Sequence, residues 1–198
     1  MTRKEGNKSV YSLWIFCEGK TERNYFAQLK AVERIQGLQI RPVIGEDKNI
    51  VGLVNYSIKY LKHNRDFLEG DSVVYVFDRD KNTNEDFKKA KEKLKDPNLQ
   101  LILSNPCFEF WIISHFELYC KPMQPELLKV KLRKYMGLYK KTNPNIYNNT
   151  KDKIETAIKN SKKVHNMHIN KKIEILCGES NPSTMIFQLI ELIEKYKV

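Results

Sequence analysis

The chain alternates between short apolar runs and helical patterns through its first two thirds. Leu13-Trp14-Ile15-Phe16-Cys17 is continuous in apolar residues and closes at Glu18-Gly19. Such a run predicts a strand buried on both faces, as a parallel sheet requires. Thr21 suits a helix N-cap, and Tyr25, Phe26, Leu29 and Val32 follow at helical spacing. Residues 38–43 alternate, and Pro42 pushes this strand to a sheet edge. Ile50, Leu53, Val54, Ile58 and Leu61 mark a second amphipathic helix. Val73-Val74-Tyr75-Val76-Phe77 is the clearest strand and ends at Asp78-Arg79-Asp80. A charged helix over 84–95 has Phe87, Ala90 and Leu94 to bury, and residues 99–103 form a fourth strand. Ser104-Asn105-Pro106 then opens a helix through Phe116, with Pro106 near its first position. The alternation predicts an α/β fold with a largely parallel four-stranded sheet and helices on both faces.

Beyond residue 120 the strand signal fades. Helical patterns recur near 125–137, 150–165 and 183–196, separated by Asn/Pro-rich loops. The expected division is a core over 1–120 and a basic helical extension over 121–198 packed on it, in one domain overall.

Charge sharpens that division. The 198 residues carry a formal +11. Between Lys121 and Lys172 there are 14 bases against Glu126, Asp152 and Glu155. A field of that size attracts polyanions, so Lys131, Arg133, Lys134, Lys140 and Lys141 are candidate nucleic-acid contacts. Tyr135, Tyr139 and Tyr147 lie among them and could stack on bases, although at least two are expected to be ordinary core or half-buried residues. With 41% apolar residues the chain can bury a core, which excludes a wholly disordered tail. No apolar run approaches a membrane span, and the polar N-terminus shows no secretory signal. Cys17, Cys107, Cys120 and Cys177 form no C-x-x-C pair, so a reducing cytoplasm is expected, with the cysteines packed as small apolar residues.

The candidate chemistry sits at strand ends, where parallel α/β sheets bind ligands. The first strand ends in Glu18, with Glu22 one helical turn on; the third ends in Asp78 and Asp80, which point the same way if extended. Glu109 stands in the first turn of the helix after strand four. If strands one and three are neighbours, five carboxylates meet on one edge. Oxygen donors without His or Cys favour Mg²⁺ or Mn²⁺, which could position and polarise a phosphodiester. Lys20, Arg79 and Lys81 stand beside these acids and could neutralise charge building on phosphorus. His165 and His168 lack a third metal ligand and read as exposed residues of a basic helix; His115 reads as half-buried, with a proton-transfer role open to it.

Four segments resemble RloB-like proteins. Residues 16–26, from Phe16-Cys17-Glu18-Gly19 to Tyr25-Phe26, are similar to the E-G-x-T-E-x-x-Y-F opening of that family. Val76-Phe77-Asp78-Arg79-Asp80 resembles its D-x-D strand end, and residues 104–111 resemble S-N-P-x-F-E-x-W. Asn181-Pro182-Ser183-Thr184 resembles its N-P-S-T element, whose Asn and Ser read as structural caps. The resemblance implies a Toprim-like, Rossmann-like catalytic core in which Glu18, Asp78 and Asp80 hold Mg²⁺. It implies a nuclease of prokaryotic antiviral defence or abortive infection, with an ATPase partner encoded nearby. Glu22, Glu109 and Lys20 complete the expected catalytic set, and Asn105, Arg79 and Lys81 the substrate contacts nearest it. Self-association is compatible with this pattern. The alternative is a non-catalytic nucleic-acid-binding subunit that works with the ATPase. A phosphatase using Asp78 as nucleophile fits poorly, because its D-x-D-x-T/V motif would need Thr or Val at Asn82.

Overall fold

A computed structural model describes residues 11–45, 49–80, 82–94, 99–137 and 145–197. β1 (Tyr11–Cys17) lies between β2 (Leu38–Ile44) and β3 (Ser72–Asp78). β4 (Leu99–Asn105) pairs with β3, and β5 (Ser183–Thr184) closes the far edge. The order is β2-β1-β3-β4-β5; only β5 runs antiparallel to its neighbour. The sheet therefore has five strands among the described residues rather than four. The fifth is a two-residue pairing of Ser104 and Asn105 with Thr184 and Ser183, too short to leave a periodic signal. Pro42 lies, as expected, in edge strand β2.

Side chains alternate across the sheet and both faces are buried. Leu13, Ile15, Cys17, Val74, Val76 and Ile102 point to one core; Trp14, Phe16, Val73, Tyr75, Phe77 and Leu103 point to the other. This is why the strands read as unbroken apolar runs. The second core is covered by α2 (Ile50–Lys62) and α3 (Asn84–Lys93), through Ile50, Leu53, Val54, Phe87 and Ala90. The first is covered by α1 (Lys20–Val32), α4 (Glu109–Ser114), α5 (Pro125–Met136), α6 (Ile146–Thr150), α7 (Ile154–Asn170) and α8 (Ile186–Glu194). Residues beyond 120 thus share the sheet's own core, with Leu128, Tyr147, Val164 and Ile190 in it, and supply β5.

Several local expectations change. Gly19, not Thr21, is the N-cap of α1, and Thr21 is buried inside the first turn. The Asn105–Pro106 bond is cis, and the following helix starts at Glu109, so Pro106 lies outside it. His168 is buried and its Nε2 donates to the Pro182 carbonyl, while His165 packs edge-on against Phe187. Phe187 of α8 half-covers His165, and the segment before β5 covers His168. The N-P-S-T element is structural in the expected sense. Asn181 bonds both backbone groups of Met123, and Thr184 bonds Ser104 across the β4–β5 pair.

Candidate metal centre at the sheet edge

Parallel pairing of β1 with β3 brings both strand ends to one edge. The Glu18 N–H extends the ladder by one bond, to the Val76 carbonyl at 3.1 Å. The Glu18 Oε2 in turn accepts the Asp78 N–H at 3.1 Å. Beyond β3 the loop continues along β4: Arg79 N–H donates to Ser104 O and Asp80 N–H to Pro106 O. That pairing draws the start of α4 over the site, where Phe108 N–H donates to Asp78 Oδ1 at 2.8 Å. Ligand atoms of Asp78, Cys107 and Glu109 all lie within 4.8 Å of one another, and all three residues are buried.

Gly19 has a definite reason to be glycine. A Cβ there would stand 2.6 Å from Glu22 Oε2, so the small residue lets the Glu22 carboxylate fold back toward the strand end. Its φ of −132° is ordinary extended backbone; space decides the choice, not torsional freedom.

The electrostatics follow from this crowding. Burial pushes the Asp78 carboxyl well above the usual carboxylate range. The negative charges of Glu22, Glu109, Glu18 and Asp80, in decreasing order, push it further the same way. Four of the five acids are buried, and Asp80 alone is exposed. Such a set tolerates full ionisation only with a compensating cation. The donors fit a hard divalent ion, with the Cys107 sulfur as one soft atom beside them.

The basic candidates divide. Lys20, the first residue of α1, is exposed near these acids. Arg79 turns toward α3, donating to Asn84 Oδ1 at 2.6 Å with its guanidinium over the Phe87 ring. The Asn105 amide donates to Cys177 O, Gly178 O and Ser180 Oγ, fastening β4 to the 177–180 turn. Lys131 is paired with Glu117 at 2.5 Å and lies over Tyr119, whereas Arg133 and Lys134 are exposed on α5. Lys81, Lys140, Lys141 and Tyr139 lie outside the described residues. Tyr147 is a core residue; Tyr135 is exposed and stacked on Phe116. His115 is buried, its Nδ1 donating to carbonyls of its own helix.

Two residues at the site had not been singled out as candidates. Cys107 occupies the unspecified position of S-N-P-x-F-E, and only the fold brings its sulfur to Asp78. Asn82 accepts the Ile50 N–H at 2.7 Å and donates to the Asp78 carbonyl at 2.6 Å, tying the start of α2 to the end of β3. Its one sequence signal was its place shortly after the D-x-D.

No curated protein and no solved structure shows significant similarity to this chain. A family model described as RloB-like protein matches residues 13–193, from β1 into the last turn of α8. With that match spanning nearly all of its length, the chain belongs to the RloB-like protein family.

Proposed function

We propose that the chain is a metal-dependent nuclease, hydrolysing phosphodiester bonds of DNA or RNA from a Toprim-like core. The supporting observation is the gathering of four carboxylates about that of Asp78 at the carboxyl edge of a parallel sheet. Glu18, Asp78 and Asp80 would hold Mg²⁺ or Mn²⁺, with Glu109 and Cys107 adjoining. A divalent ion bound there supplies Lewis acidity toward a phosphoryl oxygen and a more acidic water.

The chain's own residues do the positioning. The Phe108 N–H fixes the Asp78 carboxylate through Oδ1, and Glu18 is fixed through the Asp78 N–H. Buried Glu22 and Glu109 keep the pocket negative, so it favours cations and repels an unaccompanied phosphate. Lys20 at the start of α1, with the positive end of that helix, offsets charge on the scissile phosphate. Exposed bases of α5 and α7, among them Arg133, Lys134, Lys159 and Lys163, supply the polyanion's approach. The family resemblance supports a setting in prokaryotic antiviral defence or abortive infection, with an ATPase partner encoded nearby.

The test is cleavage of plasmid, single-stranded DNA and tRNA with Mg²⁺ or Mn²⁺, alone and with the neighbouring ATPase. Activity is expected in wild type and lost by at least about 10³-fold in Asp78→Asn, the scale on which removing one preorganised charge-stabilising group acts. Full cleavage by the Asp78→Asn protein would refute the assignment.

A further inference from the structure

A second surface, along the C-terminal half of α2, combines aromatic rings with positive charge. Tyr56, Lys59, Tyr60, His63, Asn64 and Arg65 line an open groove of about 620 Å³. Tyr56 and Tyr60, one helical turn apart, have ring centroids 5.8 Å apart at a 32° tilt. Each is half-buried and in T-shaped contact with Phe16, so the pair is rigidly based rather than loose. Lys59, His63 and Arg65 are exposed around them. Among the described residues no acid lines the groove, and the neighbouring Asp66 is paired with Arg41 at 2.9 Å. The His63 Nδ1 donates to the Lys59 carbonyl, fixing the imidazole at the end of the helix.

We infer that this groove binds single-stranded nucleic acid, with bases on the Tyr56–Tyr60 platform and phosphates on Lys59 and Arg65. Paired aromatic faces bordered by cations accept any base through its π-face and any backbone through its charge. An acidic peptide would use the cations and leave the platform idle. The groove is also joined to the metal centre: Ile50, at the start of α2, bonds to the Asn82 that bonds the Asp78 carbonyl. Tyr56 and Tyr60 lie about 9 and 15 Å further along the helix axis, a span of a few nucleotides. The inference rests on the nucleic-acid substrate proposed above and adds where the strand beside the scissile bond is held. It uses the opposite half of the sequence from the lysine-rich 121–172 stretch.

The experiment measures binding of a fluorescent oligothymidylate, without divalent metal, by the Asp78→Asn protein. Lys59→Glu/Arg65→Glu alters two exposed side chains and is expected to weaken binding at least tenfold. It should also flatten the salt dependence by about 1.4 in log–log slope, the share of two phosphates. An abasic strand of equal length and charge is expected to bind at least about fivefold more weakly than oligothymidylate to the unaltered groove, which reads stacking without touching the fold. Undiminished binding by the charge variant overturns the proposal and leaves the nuclease reading standing. Equal binding of abasic and thymidylate strands, or equal loss of binding to anionic lipid vesicles, also overturns it, making the patch a general polyanion surface. Absent cleavage by the wild-type protein with Mg²⁺ or Mn²⁺, alongside the expected binding losses, would instead refute only the nuclease reading.

Discussion

Asp78 is held where an ionised carboxylate is least comfortable: buried, and facing four other acids. The sign of the resulting pH dependence is fixed. An unfolded Asp titrates near 3.9. Because the folded carboxyl titrates higher, the native state binds the extra proton over that interval, and stability falls as pH rises through it. A bound divalent ion removes this penalty. The rise in Tm produced by Mg²⁺ is therefore expected to grow with pH, as read by thermal scans at several pH values. Asp78→Asn keeps the acceptor for the Phe108 N–H and removes one charge, so the metal-free variant should melt higher, by about 2–4 °C for each kcal/mol relieved. Gly19→Ala should act on function rather than on stability. Its methyl group displaces Glu22, so kcat for cleavage is expected to drop tenfold or more while the melt moves by no more than about 1 kcal/mol. An unchanged kcat would detach Glu22 from the site. At this scale the acids themselves were legible, because strand ends in parallel sheets are where ligands bind. Cys107 was not, since its sulfur reaches Asp78 only through the turn that follows β4.

Elements carry two further tests. Asn82 couples α2 to β3 through two buried hydrogen bonds. Asn82→Ala leaves the Ile50 N–H and the Asp78 carbonyl without that partner, and should cost about 2–4 kcal/mol in chemical denaturation. Helix α4 ends at His115, which burial holds neutral, pushing its pKa down to about 4. The unfolded histidine titrates near 6.5, so the stability it provides is full above that pH and lost as pH falls toward 4. The loss is on the order of 3 kcal/mol, from the same linkage, and should vanish from the stability–pH curve of His115→Gln. Strand and helix positions were readable from periodicity wherever an element was long enough to repeat. β5, two residues long, was not, nor was the start of α4, which lies at Glu109, three residues beyond the Pro106 that marked it in the sequence. The H-x-x-H pair of α7 misled for a different reason. Its polarity suggested solvent, but Phe187 of α8 half-covers His165 and the Pro182 carbonyl takes up His168.

Across the whole molecule, both sheet faces are buried and the acids gather at the carboxyl edge of the parallel strands. Both strand ends reach that edge only because β1 and β3 are neighbours, which the sequence posed as a condition and the topology meets. Apart from Lys20 and Arg79 beside the acids, exposed bases lie along α5, α7 and the end of α2, so the negative centre and these positive surfaces are segregated. That segregation suits a phosphodiester that needs a cation at one point and electrostatic capture along its length. No helix among the described residues is long and apolar enough to cross a membrane. The most direct measurement is anomalous diffraction from crystals soaked in Mn²⁺. The account predicts a peak within coordinating distance of the Asp78 and Glu18 carboxylates, absent from Asp78→Asn crystals. A well-diffracting wild-type crystal with no peak at that edge would contradict it.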